Sequence, residues 1–258
     1  MNNTFNIQRF GLLLKRQWLE FGRIYLISLV VTLGLLTTYY SLTLWAYLRG
    51  SIPEFRESAL NFREPLFIIF GFIFMTIIAS NYFAHLGQKS KAIIDLLIPA
   101  STFEKFLSSI FFTAFLAIAS FCLLFYLTDL GFISNLRGKY PDNLQSLPYF
   151  FKENNPNDFK PIYVIPFFVS SIFLLGSIYF ERFHYIKTTI SVMIFSGIWV
   201  AIIAKSAKLL YEGKVEINTT ERIGYSKDIA ELWGVLIMVV LTLIFWSITY
   251  VRLKEKQV

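Results

Sequence analysis

The chain has 258 residues, of which 55% are hydrophobic and only 16% are charged, and it carries a net charge of +7. A soluble domain contains about 25% charged residues, so this composition excludes an ordinary soluble protein and is typical of one embedded in lipid. Long uncharged stretches separate the charged residues along the chain, so the net positive charge does not indicate nucleic-acid binding.

Residues 1–23 have the pattern of an amphipathic helix that lies in the membrane surface. At 100° per residue one face is apolar and the opposite face is charged. The apolar face carries Ile7, Phe10, Leu14, Trp18, Phe21 and Tyr25, and the charged face carries Arg9, Arg16, Glu20 and Arg23. Such a helix either anchors the chain ahead of the first span or contacts a partner.

Six stretches of 17 to 25 residues then contain no charged side chain. A spanning helix needs roughly 17 to 25 residues, so each stretch is long enough to cross a bilayer. We therefore predict an all-α, polytopic membrane protein with six transmembrane helices and an N-terminal interfacial helix. The spans are expected at about 24–48, 66–86, 106–128, 161–180, 188–204 and 232–251.

The segment 89–105, between the second and third spans, carries strong signals for a helix break and a restart. Pro99 ends a helix because it lacks an N–H and restricts the residue before it. Ser101 and Glu104 have the spacing of a capping box, which predicts that a new helix begins there. A short helix over 91–98 that breaks into span three is thus expected.

The other connections are turns too short to form separate domains, so residues 1–258 constitute a single membrane domain. The segment 209–230 could hold a small hairpin or a re-entrant piece before the last span. The 24 Lys and Arg residues divide evenly between the two sides, twelve each. Those on the side of the termini crowd next to span ends, where the positive-inside rule acts, so we predict that both termini are cytoplasmic.

The spans offer no combination of groups for catalysis. Their interiors lack acids and bases, and the two histidines, His85 and His184, lie near span ends without metal-ligand spacing. Cys122 is the only cysteine, which excludes a disulfide within the chain. Hydroxyl and amide side chains in the spans either bond a neighbouring helix or line a substrate path, and Thr38, Ser41 and Asn81 are candidates for the second role.

Two short motifs resemble a known family. The sequence LIPASTFEKFLSS, residues 97–109, resembles the segment after the second span in membrane subunits of ABC-2 type exporters. The sequence GSIYFERFHYIKT, residues 176–188, resembles the turn between spans four and five in a branch of that family common in Bacteroidetes-type bacteria.

The resemblance implies an exporting permease subunit in the bacterial inner membrane. A permease whose spans contain no charged side chain suits a hydrophobic or amphipathic substrate better than ions. ATP would be bound by a separate cytosolic ABC ATPase subunit, so this chain would be no enzyme and need no cofactor of its own. Two permease subunits would associate, as a homodimer or a heterodimer, in contact with membrane lipid and without nucleic acid.

Applied to this sequence, the resemblance implies that segment 89–105 couples the permease to the ATPase. The residues concerned are Lys91, Asp95, Pro99, Ser101, Glu104 and Lys105. The same cap and breaker would serve any turn between two helices, and a scaffold or sensor whose spans merely pack together remains the alternative function.

Overall fold

The computed structural model describes residues 5–52, 55–87, 93–95, 97–140, 150, 164–211 and 227–256. These residues are helical and contain no strand. Helix α1 covers Ile7–Thr43 and is followed by the short α2, Trp45–Leu48. A 3₁₀ turn, Glu57–Leu60, precedes α3, Arg63–Tyr82, and a second 3₁₀ turn, Ala84–Gly87, follows it.

The next helix contains a π-helical turn. Helix α4 covers Thr102–Ile110, the π-turn covers Phe111–Leu116, and α5 covers Ala117–Lys139. The last three helices are α6, Ile165–Tyr179, α7, His184–Tyr211, and α8, Lys227–Glu255. Helices α1, α3, α5 and α6 enclose a core that is rich in aromatic rings, with Phe74, Phe121 and Phe125 fully buried.

Five helices in the described part of the chain are long and apolar enough to cross a membrane. They are Ile7–Thr43, Ser58–Tyr82, Thr102–Lys139, His184–Ser206 and Leu232–Glu255. The all-helical class is therefore confirmed, and the five apolar helices are compatible with a multi-pass membrane protein. Helix α6 has 15 residues, fewer than a spanning helix needs, and residues 161–163 of the span predicted there lie outside the described residues, so the count of six is not confirmed.

The start of the chain differs from the prediction. Residues 7–43 form one uninterrupted helix of 37 residues, about 55 Å long, with no break near Arg23. A separate helix in the membrane surface is thus not confirmed. Arg23 lies on an exposed face of the continuous helix, and a charge there does not interrupt it.

Side-chain contacts define two ends of the bundle. At one end, which we call the terminal end, α1 and α4 begin and α8 finishes, with Tyr250 packed on Phe106 at 5.4 Å between ring centroids. At the other, the far end, Tyr140 donates to the Ile52 carbonyl at 2.7 Å and ties α5 to the connection between α2 and α3.

Two glycines allow close packing near the terminal end. A Cβ at Gly87 would collide with the backbone of Glu181, and one at Gly176 would collide with the Thr188 side chain. The first contact brings the Ala84–Gly87 turn against the connection from α6 to α7. The second allows α6 and α7 to cross closely.

Candidate functional site

The restart after Pro99 has the geometry that the sequence predicts. The Ala100 N–H donates to the Ile98 carbonyl at 2.8 Å, which closes a tight turn around Pro99. Ser101 is the N-cap of α4: its hydroxyl accepts from the Glu104 N–H at 3.2 Å, and Glu104 Oε2 accepts from the Ser101 N–H at 2.9 Å. The predicted capping box is therefore present, with both hydrogen bonds made.

The Glu104 carboxylate also joins α4 to the start of α1. The Arg9 guanidinium donates to it with Nη2 at 2.7 Å from Oε1 and Nε at 2.8 Å from Oε2. The Asn6 N–H adds a bond of 3.0 Å to Oε1. Glu104 is fully buried, so one carboxylate caps a helix and fixes the first turn of another helix beside it.

A second ion pair holds the residues before Pro99. Lys105 Nζ lies 3.1 Å from Asp95 Oδ2 and donates to the Asp95 carbonyl at 2.6 Å. Both residues are buried, Asp95 at 7% and Lys105 at 4% exposure. His85 Nε2 lies 3.9 Å from the other carboxylate oxygen. The chain around Asp95 is therefore clamped onto α4 and does not depend on its own short helix for its position.

The clamped segment presents apolar side chains outward. Ile93 and Ile94 are 58% and 55% exposed, and Leu97 is 78% exposed. The Leu97 N–H donates to the Ile93 carbonyl at 3.2 Å, so the three side chains belong to one helical turn. Asp95 ties this turn to α4 through its ion pair with Lys105, and the turn presents a small apolar surface at the terminal end.

The residues assigned to coupling thus have different positions. Ser101, Glu104 and Lys105 lie together in the buried base of the segment, and Pro99 is exposed. Asp95 also faces Lys105 and is buried, so its carboxylate is not exposed to a partner protein. Lys91 lies outside the described residues.

The side chains predicted for the apolar face of the interfacial helix pack only in part against the protein, since Ile7 and Trp18 are exposed. Phe21 is buried, with its ring 5.3 Å from that of Tyr82, and Trp18 stacks on Phe112 of the π-turn at 6.3 Å. Phe10 and Leu14 are partly buried. This face of α1 therefore contacts α3 and the π-turn.

The three residues proposed to line a path do not form one surface. Thr38 and Ser41 lie near the far end of α1, where the Thr38 hydroxyl donates to the Gly34 carbonyl at 2.7 Å. Asn81 lies near the terminal end of α3 and donates to the Ile77 carbonyl at 2.9 Å. A path formed by all three would have to extend along the length of the bundle.

The sequence analysis missed a buried charge cluster at the far end. Asp129 is completely buried and accepts from Arg63 Nη1 at 3.3 and 3.4 Å, from the Tyr40 hydroxyl at 3.1 Å and from the Phe150 N–H at 3.1 Å. It therefore links α1, α3 and α5 to residue 150. Asp129 marks the end of an uncharged stretch in the sequence, but α5 continues to Lys139.

Nothing in the described residues indicates catalysis at a metal centre. Within those ranges, no three His, Cys, Asp or Glu side chains come together where they could hold a metal ion. Comparisons with protein-family models, with curated proteins and with solved structures give no match. The assignment of a function therefore depends on the geometry of the chain itself and on the two short motifs.

Proposed function

We propose that this chain is the membrane subunit of an ATP-driven exporter of the ABC-2 type, and that a separate cytosolic ATPase docks on the turn of Ile93, Ile94 and Leu97. The proposal includes six spans, with α6 and the residues before it forming the fourth. It also places both termini in the cytoplasm, so that the terminal end faces the ATPase.

The observation that carries the proposal is the way in which the described residues of the 89–105 segment, 93–95 and 97–105, are held. An exposed apolar turn on a flexible loop would move without displacing a helix. Here the Lys105–Asp95 pair ties the turn to α4, and the Arg9–Glu104 pair ties α4 to α1. A push on Leu97 would therefore act on the first turns of two long helices at once.

The outward residues suit a protein partner. Contact surfaces between proteins are depleted in charge at their centre and gain most of their affinity from a few buried apolar or aromatic side chains. Ile93, Ile94 and Leu97 form such a centre. It lies beyond the uncharged stretches that cross the bilayer, so a cytosolic protein could cover it.

The test is purification of the tagged chain from its host, with the associated proteins identified by mass spectrometry and ATP hydrolysis measured. We expect an ATPase with a phosphate loop in the wild-type sample. Leu97→Asn should reduce its recovery about tenfold, because a central apolar contact in an interface is worth more than about 1 kcal/mol.

A matched control separates docking from insertion. Leu19 is 75% exposed and also lies outside the uncharged stretches, so Leu19→Asn changes the surface equally but should leave ATPase recovery unchanged. Equal recovery with wild type and Leu97→Asn at matched expression would contradict the docking proposal. Purification without any ATPase would favour the alternative of a scaffold or sensor.

A further inference from the structure

A cavity of about 260 Å³ lies at the terminal end between α1, the last turn of α3 and the following 3₁₀ turn. Its polar lining consists of Gln17, Glu20, Asn81, Tyr82 and His85, and the remaining lining side chains are apolar. None of these residues belongs to the turn of Ile93, Ile94 and Leu97. The cavity and the docking surface therefore share no residue.

Two amide side chains, those of Gln17 and Asn81, provide acceptor oxygens in the lining of this cavity. Gln17 is more than nine-tenths buried, yet its amide forms no hydrogen bond with any described residue. Its amide nitrogen and oxygen are not among the fully enclosed side-chain atoms, so they open onto the cavity and can bond a ligand. Asn81 uses its amide nitrogen to bond the Ile77 carbonyl, which leaves its oxygen as an acceptor.

The charges of the cavity favour a cation. Glu20 contributes a carboxylate to the lining. The two nitrogens of the His85 ring already have partners, because Nδ1 bonds the Tyr82 carbonyl at 3.0 Å and Nε2 lies 3.9 Å from the Asp95 carboxylate. The Arg16 guanidinium lies 4.0 Å from Glu20, outside the cavity lining, where it could meet an anionic group next to the bound cation.

The cavity is also placed where lipid headgroups lie. Ile24 lines it and begins the uncharged stretch 24–48, while Glu20 precedes that stretch. Ile24 and Ile27 are 47% and 54% exposed on the outer side of α1 and would contact acyl chains. A ligand here would have its charged part at the membrane surface and its apolar part along α1.

We propose that this cavity binds the headgroup of a phospholipid with a primary ammonium group, as in phosphatidylethanolamine. The ammonium donates to Glu20, to the Gln17 oxygen and to the Asn81 oxygen, while the adjacent phosphate faces Arg16. A quaternary ammonium has no N–H to donate, and an anionic headgroup without an amine would meet the Glu20 carboxylate unfavourably.

The experiment measures lipids retained by the purified full-length chain, using native mass spectrometry. The protein is exposed to equimolar phosphatidylethanolamine, phosphatidylcholine and phosphatidylglycerol with identical acyl chains. We expect phosphatidylethanolamine to be retained about tenfold over phosphatidylcholine, the ratio that corresponds to one charge-assisted hydrogen bond. Glu20→Gln should bring this ratio close to one, and Gln17→Leu should lower it.

Glu255 provides the matched control, because it also forms an exposed ion pair with an arginine, Arg252, but lies outside the cavity lining. Glu255→Gln should keep the wild-type ratio. Equal retention of the three lipids by the wild type, or an unchanged ratio in Glu20→Gln, would overturn the proposal. Soluble phosphoethanolamine is the second arm: if it displaces the lipid at equal concentration, the site takes a free amine and the assignment to lipid is wrong.

Discussion

Replacing Asp129 by asparagine should destabilise the bundle, because the change leaves the buried Arg63 guanidinium without a counter-charge. Removing one partner of a buried ion pair costs about 3 to 5 kcal/mol. The two Arg63 contacts are long, 3.3 and 3.4 Å, and asparagine can still accept from the Tyr40 hydroxyl. We therefore expect the lower limit, about 3 kcal/mol.

Thermal unfolding in detergent measures this loss of stability. The fluorescence of the five tryptophans of the chain is the signal that follows unfolding. A loss of 1 kcal/mol lowers Tm by about 2 to 4 °C in a protein of this size, so Asp129→Asn should lower it by about 6 to 12 °C. Arg63→Met, which leaves the carboxylate buried, should also lower Tm strongly.

The double variant, Arg63→Met with Asp129→Leu, decides whether the charges are coupled. Exchanging a whole buried pair for apolar side chains is often close to neutral, so the double variant should be more stable than either single variant. Single variants with a wild-type Tm, or a double variant that loses the sum of the two single losses, would refute the reasoning.

Three further outcomes are expected in the same unfolding assay. Lys105→Met should lower Tm because it leaves the Asp95 carboxylate buried without its cation, and adding Asp95→Leu should restore much of the loss. Gly176→Val should lower Tm because its side chain would collide with Thr188, whereas Thr188→Ala in that background should recover part of the loss. Ser101→Ala should cost about 0.5 to 2 kcal/mol, the range for loss of an N-cap, and Ser101→Thr should cost less.

Local signals in the sequence predicted the features that depend on neighbouring residues. Ser101 and Glu104 are three positions apart, and the bonds between them form wherever a helix begins at that point. The uncharged stretches likewise predicted long apolar helices, because few other structures satisfy backbone hydrogen bonds in lipid.

Features that depend on distant residues could not be predicted in this way. Arg9 and Glu104 are 95 positions apart, and Arg63 and Asp129 are 66 apart, so no local pattern connects the members of either pair. Charge was also used to place span ends at Arg23 and at Asp129, and at both positions the helix itself continues without a break. A helix can continue through a charged residue when the side chain is exposed, as at Arg23, or has a buried partner, as at Asp129.

Helix α4, the π-turn and α5 form one continuous helix, and this continuity bears on the role of the π-turn in movement. Glu104 fixes the first turn of α4 to α1, and Asp129 fixes the middle of α5 to α3, so a helix about 57 Å long is held by charged contacts on both sides of the π-turn. A displacement of α4 relative to α5 must then be absorbed between them. The π-turn Phe111–Leu116 is the one irregular stretch between these anchors, and its geometry is less stable than that of an α-helix. Phe112 lies there between Trp18 and Tyr82, so we expect the environment of Trp18 to report, through its fluorescence, any movement that a partner imposes on α4.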